Sequence, residues 1–278
     1  MGGLLMALPL LTLAAVVAGY PLWRALRWAV TGADGGGSLA AFGRLAGDAT
    51  FGFALLNTLG FVVAYVALLL PVGLGLALLL QRGLPAGVRG ACRLLLFSTY
   101  LVGPVYLAVL VLTLLGREAG LLTRWLPAGT DVLSVPWLAM PVVLLASVWA
   151  SAGYAMVYFL AALQAVDVDL QDAARLDGAG AWRVLWHVTL PQVAPTAVFV
   201  ATVAALAGLQ LFELPFVLFG GSAGPGNAAL TVSMYLFSVA FEQGDFAYAS
   251  AVGWALAGGV AGLTAVMLRY GVRVGGGL

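Results

Sequence analysis

Charged residues fall along this chain in clusters. The uncharged intervals between them, 1–23, 49–81, 94–116, 132–166, 188–212, 214–241 and 246–268, are rich in Leu, Val, Ala, Gly and aromatic residues. Each exceeds the roughly 20 residues that a helix needs to cross the hydrocarbon core. Seven runs do not give seven spans. The segment 220–227 reads GGSAGPGN, a breaker cluster that no helix carries through lipid, so the run after His187 ends near Phe219. The next apolar stretch, 231–241, is too short to cross and is expected as a surface helix leading into the last span. The pattern therefore predicts an all-α integral membrane protein with six transmembrane helices, at about 3–23, 52–80, 94–115, 137–163, 193–219 and 247–268, forming a single transmembrane domain over 1–278.

Composition agrees with this and excludes other classes. Of 278 residues, 63% are hydrophobic and 8% charged, far too few polar side chains to cover a water-soluble fold, so membrane lipid is the expected surroundings. The single cysteine, Cys92, rules out an intrachain disulfide framework, and a net charge of +1 gives no electrostatic case for nucleic acid. The first run lacks a basic leader, and its flanking charges, Arg24 and Arg27, come after it, so it is expected as a retained helix rather than a signal peptide. Orientation rests on arginine. With the N-terminus in the cytoplasm, inner loops hold Arg82, Arg89, Arg93, Arg175, Arg183, Arg269 and Arg273, against Arg24, Arg27, Arg44, Arg117 and Arg124 outside.

The longest polar-bearing interval, 164–192, is the most informative. Asp167 or Asp169 can cap a short helix through Leu176, and Gly178 suits its left-handed end. Val166, Leu170, Ala173 and Ala174 would form a narrow apolar stripe. A second short helix, 181–190, would place Trp182, Leu185, Trp186 and Thr189 on one side, with Pro191 stopping it. Two amphipathic helices outside the lipid make either a docking elbow for a partner or a loop resting on the bilayer surface.

The residues of this interval carry a family resemblance. Asp172-Ala173-Ala174, then Asp177-Gly178-Ala179, then Leu190-Pro191 and Pro195 resemble the EAA loop of permease subunits of binding-protein-dependent ABC importers. Eleven residues separate Gly178 from Leu190, the longer form usual in sugar permeases. The likeness extends to Asn57-Thr58, to Gly73 through Leu79, to Gly120-Leu121-Leu122, to the run Leu160 through Gln164, and to Phe212-Glu213-Leu214-Pro215 followed by Gly220-Gly221 and Gly224-Pro225. It favours the maltose and glycerol-phosphate type.

This resemblance implies a type I ABC importer transmembrane domain with cytoplasmic coupling helices, in a bacterial or archaeal cytoplasmic membrane. It implies a heterodimer with a second permease subunit, two ATP-binding subunits, and an extracytoplasmic solute-binding protein that delivers a carbohydrate or related polyol phosphate. Asp172, Ala173, Ala174, Asp177, Gly178, Ala179, Leu190 and Pro191 would then couple the chain to the ATPase. The chain has no phosphate-binding GxxxxGK[ST] loop and no lysine, so ATP hydrolysis must belong to another subunit, and no cofactor is expected.

Glu213 is the only acidic residue inside an expected span. An intramembrane carboxylate must face a cavity or a partner. It is read either as a sugar-cavity residue or as a structural contact near the interface, and Trp149, Tyr154 and Tyr158 can line the same cavity or simply pack. Gly258 and Gly262 have the spacing for close helix packing, within the bundle or in a dimer. An intramembrane enzyme would need a nucleophile with its base, or a metal set, at membrane depth; the lone His187 lies in the elbow. A passive channel would have no use for the elbow.

Overall fold

An apolar segment in lipid has no water to bond its amides, so it must satisfy its own N–H and C=O groups, and the helix is the local way to do so. The computed structural model describes residues 9, 12–13, 15–32, 39–81, 85–116, 120–121 and 131–275, and among the described residues every regular element is helical. In chain order these are α1 (Tyr20–Thr31), α2 (Ala40–Gly47), α3 (Ala49–Gln81), α4 (Ala86–Ser98), α5 (Pro104–Leu115), α6 (Pro136–Gln164), α7 (Val168–Leu176), α8 (Ala181–Val184), α9 (Leu190–Leu209), α10 (Glu213–Leu218), α11 (Val232–Phe237) and α12 (Phe246–Gly275).

Among the described residues, four helical runs are long and apolar enough to cross a membrane: Ala49–Gln81, Pro136–Gln164, Ala181–Leu209 and Phe246–Arg269. They overlap the second, fourth, fifth and sixth expected spans, the fifth only over 193–209. Residues 3–8, 10–11 and 14 of the first expected span lie outside the described residues, as do Arg82, Arg117, Leu122 and Arg124. Its described part passes through a π turn, Ala15–Gly19, into α1, where Arg24 and Arg27 stack over Trp28 and Trp23 at 4.9 and 5.2 Å.

Three local expectations are corrected. The third span is not one helix: α4, extended by a 3₁₀ turn at Thr99–Leu101, meets α5 at 101°. Pro104 lacks an N–H for a helical bond and disfavours helical geometry at Gly103, which is extended at ψ 154°, and the helix breaks and restarts there. The fifth run also breaks, between Leu209 and Glu213, and Pro215 falls in the first turn of α10, where its missing N–H is not required. Pro191, by contrast, does not stop its helix. A π turn, Leu185–Thr189, widens the coil just ahead of it, and Pro191 falls in the first turn of α9, so the chain stays helical from Ala181 to Leu209.

The chain divides into two units. One comprises Asn57–Leu230 and Gly262–Leu278, and its core gathers Phe61, Leu69, Leu107, Val143, Met156, Phe159, Val193 and Val200 from α3, α5, α6 and α9. Here α4 crosses α6 at Gly153, so closely that a Cβ at that position would lie 1.9 Å from the Leu96 carbonyl oxygen. Thr99 Oγ1 seals the same crossing by donating towards the carbonyls of Leu96 at 2.8 Å and Ala150 at 3.3 Å. Asn57 Nδ2 ties the start of this unit to its end through the carbonyls of Ala228 and Leu230, at 3.3 and 3.2 Å.

The other unit comprises Met1–Leu56 and Thr231–Ala261. α11 continues through a π turn, Ser238–Glu242, and is half-buried rather than a surface helix: Val232, Met234, Tyr235, Val239 and Ala240 all point inward. The pairing is polar as well as apolar. Asp48 accepts from the hydroxyls of Tyr235 and, at 2.5 Å, Tyr248, and from the amides of Thr50 and Phe51. Arg44 pairs with Asp245 at 2.7 Å and lies over the Tyr248 ring. Burial works to raise the Asp48 carboxyl, but the Tyr235, Tyr248 and backbone hydrogen bonds outweigh it and hold the group below its usual range. Asp245 is likewise held low, burial being overcome by the Tyr248 amide and Arg44. Among the described residues, nothing lies within 4 Å of a Cβ built at Gly258 or Gly262.

Candidate functional site

The elbow is built from caps. Asp167 is extended at ψ 118°, and its carboxylate accepts the Asp169 N–H at 2.9 Å to start α7. Gly178 closes the helix at φ +84°, where the absence of a Cβ removes the strain. The Asp167 N–H also donates to Gln192 Oε1 at 3.4 Å, linking the two ends of the interval. Asp172, Ala173 and Asp177 are exposed, Ala174, Ala179 and Leu190 half-buried, and Pro191 exposed. Arg175 is taken up by Asp172 of its own helix at 2.9 Å.

The expected apolar stripe is split. Val166 is buried, while Leu170 stands exposed and Leu176 is 90% exposed. On the second arm Val184 and Thr189 face inward, whereas Trp182, 71% exposed, packs edge-to-face on Trp186 at 5.7 Å. The π turn rotates the residues after Leu185 relative to a plain α-helix, which separates Thr189 from the tryptophans expected beside it. The elbow thus presents exposed tryptophans and leucines among charges, with no groups for chemistry. His187 contacts only the Arg183 carbonyl in its own turn, and among the described residues no cluster of three or more His, Cys, Asp or Glu is placed to hold a metal.

A second feature forms where the two broken runs converge. The break before Pro104 and the break before Glu213 both border a cavity of about 560 Å³, lined also by Tyr65 of α3, Ser147 and Ser151 of α6, and Gly208 and Gln210 at the end of α9. Non-helical backbone at membrane depth is tolerated where it lines such a cavity. Glu213 lies on the wall, and the Tyr65 hydroxyl donates to Ser151 Oγ at 2.6 Å. Tyr154 is one turn further along α6 and stacks on Tyr100, a wall residue, with centroids 4.8 Å apart. Tyr158 packs on Tyr154. Trp149 is elsewhere: it lines an apolar groove with Leu107, Leu110, Leu114 and Leu145 that suits an acyl chain.

Helical geometry explains the division. Ser147, Ser151, Tyr154 and Tyr158 are spaced i, i+4, i+7, i+11 and share one face of α6, whereas Trp149 is about 200° from Ser147. That stripe of hydroxyl-bearing residues is a signal in the sequence for Ser147 and Ser151. Tyr65, Tyr100 and Gln210 have no such signal, since they come from three separate elements. The cavity combines hydroxyls, an amide, a carboxylate and ring faces in a volume suited to a small solute. Ser151 Oγ accepts from the Tyr65 hydroxyl, and Ser147 Oγ donates to the Val143 carbonyl at 2.8 Å.

Known proteins match at these levels. The family model described as "Binding-protein-dependent transport system inner membrane component" matches residues 88–273. The chain is 28% identical over 267 residues to the lactose transport system permease protein LacF of Rhizobium radiobacter, covering 91% of this chain and 88% of that one. It is 32% identical over 237 residues to the diacetylchitobiose uptake system permease protein NgcF of Streptomyces coelicolor, covering 80% and 67%. The fold superposes with a TM-score of 0.84 on a chain of a bacterial ABC transporter involved in import of the acidic polysaccharide alginate, at 22% identity over 96% of this chain and 94% of that one. With the family model spanning well over half of its length, this chain belongs to the binding-protein-dependent transport system inner membrane components: it is an integral membrane permease subunit of an ABC importer, not an enzyme.

Proposed function

We propose that the chain forms one half of the pore of an ATP-driven importer that moves a carbohydrate, or a related polyol phosphate, across the cytoplasmic membrane. The observation that carries this reading is the cavity at the two helix breaks. Its carboxylate and hydroxyls suit sugar hydroxyls, the Tyr65 and Tyr100 rings on its wall, with Glu213 beside them, suit sugar ring faces, and Tyr154 and then Tyr158 continue the series from Tyr100. The named substrates of LacF and NgcF, both carbohydrates, support it.

In this reading the chain crosses the membrane six times, the broken α4–α5 pair making the third span and the run ending in α1 the first, with both termini in the cytoplasm. A second permease subunit completes the pore, a solute-binding protein docks outside, and two ATPase subunits engage the elbow through Asp172, Ala173, Ala174, Asp177, Gly178, Ala179, Leu190 and Pro191. The exposed Leu176, Trp182 and Trp186 supply the apolar area that such an engagement would bury. ATP-driven closure would draw the elbow inward and turn the cavity from one side of the membrane to the other, a rigid-body exchange. An importer for another small solute is the second reading, and the acidic, hydroxyl-lined wall favours the first.

Co-expression with the cognate permease and ATPase tests it. The complex in liposomes should hydrolyse ATP faster when loaded binding protein is added and should accumulate labelled sugar, while this subunit alone does neither. Sugar transport by the lone subunit, or a complex stimulated only by non-carbohydrate solutes, would overturn it.

A further inference from the structure

The hydroxyl stripe on α6 does not end at the cavity. Ser147 and Ser151 line it, and Tyr154 and Tyr158 continue the same face toward Gln164, where the elbow begins. At 1.5 Å per residue, Tyr158 sits about 10 Å beyond Ser151 in that direction. α9 runs back the other way: Gly208 lines the cavity and Phe199 lies about 13 Å nearer the elbow. The rings meet in an unbroken series, Tyr100 to Tyr154 at 4.8 Å, Tyr154 to Tyr158 at 4.8 Å and Tyr158 to Phe199 at 5.1 Å. Yet Tyr158 is 40% and Phe199 47% exposed, so each still presents ring surface outward.

Lipid is a poor occupant for that surface. The lipid-suited face of α6 is the opposite one, carrying Leu145 and Trp149, whereas the tyrosine face presents hydroxyls beside its rings, an amphipathic surface that hydrocarbon matches only in part. A solute offering C–H faces and hydroxyl edges together satisfies both parts of the strip. We propose that Tyr158 and Phe199 form an exit rail, a second ring-stacking contact on which the carbohydrate rests after leaving the cavity and before reaching the elbow side. This rests on the proposed function and adds to it a stepwise path: a sugar ring can transfer from Tyr154 to Tyr158 to Phe199 without losing aromatic contact.

The test uses the complete transporter in liposomes, with lactose, diacetylchitobiose and arabinotriose as labelled probes and the one accumulated fastest carried forward. Tyr158→Leu and Phe199→Leu should each lower uptake about five-fold, the effect of losing one ring contact of ordinary strength, while ATPase stimulation by loaded binding protein persists. Tyr158→Phe, which keeps the ring, should retain most uptake, and Leu145→Ala on the opposite face should change nothing. Tyr158→Cys in a Cys92→Ala background should react with a membrane-impermeant maleimide, more slowly when the sugar is present. Normal uptake in both leucine variants, or a cysteine shielded whether or not sugar is present, overturns the rail. If Glu213→Gln impairs uptake while the rail variants do not, the rail falls and the cavity assignment stands; if none of the three impairs it, both fall.

Discussion

Gly153 is the position where one added carbon should do most damage. A methyl group there would lie 1.9 Å from the Leu96 carbonyl oxygen and 2.8 Å from the Phe97 Cα, both backbone atoms that no rotamer change can move. Ordinary contact lies near 3.5 Å, so Gly153→Ala must part α4 from α6 by about 1.6 Å. The Thr99 Oγ1 bond to the Ala150 carbonyl, already 3.3 Å, would not survive that movement. Overpacking of this kind costs about 1–3 kcal/mol and the lost hydrogen bond about 1 more. At about 2–4 °C per kcal/mol for a chain of this size, the unfolding midpoint in detergent should fall by about 5–15 °C. Cys92, half-buried on α4, provides a local readout, because its reaction with a thiol-reactive dye should accelerate. Gly60→Ala is the control: nothing lies within 4 Å of a Cβ there, and it should be neutral or slightly stabilising. A Gly153→Ala protein that unfolds within about 2 °C of the parent, or a Gly60→Ala protein that falls as far, would refute the close-crossing argument.

Three other perturbations have defined outcomes. Gly178→Val forces a β-branched residue to φ +84°, at about 1–2 kcal/mol or more, and should lower uptake and weaken ATPase co-purification without preventing membrane insertion; wild-type uptake would move the coupling role elsewhere. Glu213→Gln removes charge at constant shape and should change sugar affinity or selectivity while the ATPase still co-purifies, measured by uptake against sugar concentration. Asp48 and Asp245 have folded pKa values below their unfolded ones, so they contribute stability in full above the ordinary carboxylate range and lose it as pH falls through the folded values. Unfolding midpoints followed from about pH 7 to pH 3 should therefore drop on acidification, and Asp48→Asn should be less stable at neutral pH with a shallower acid slope.

The long helices were legible because lipid imposes a single requirement, an uncharged run of sufficient length, and α3, α6 and α12 meet it without interruption. The breaks were legible only in part. Pro104 and Pro215 each mark one, but a proline inside an apolar run is also compatible with a kinked continuous span, and Pro191 shows the opposite outcome, since a π turn accommodates it. The capped α7 followed from Asp167 and Gly178 because capping is local chemistry. The cavity did not, because its wall depends on where two breaks meet. Tyr65, Tyr100 and Gln210 have nothing in common along the sequence until the helices pack. The same holds for Asp48, whose hydroxyl partners Tyr235 and Tyr248 lie 187 and 200 residues away.

Under the proposed coupling, the uninterrupted helical run from Ala181 to Leu209 would work as a lever arm. Twenty-nine residues at 1.5 Å each make a shaft of about 43 Å, with Trp182 and Trp186 at one end and Ala207 and Gly208, on the cavity wall, at the other. Tilting such a shaft by about 5° about its elbow end sweeps the far end through nearly 4 Å, more than the radius of a sugar ring. Had Pro191 severed the helix, the same push would have been lost in a flexible joint. The π turn would then set the gearing: it lets Pro191 sit in the helix without unfastening the handle from the blade.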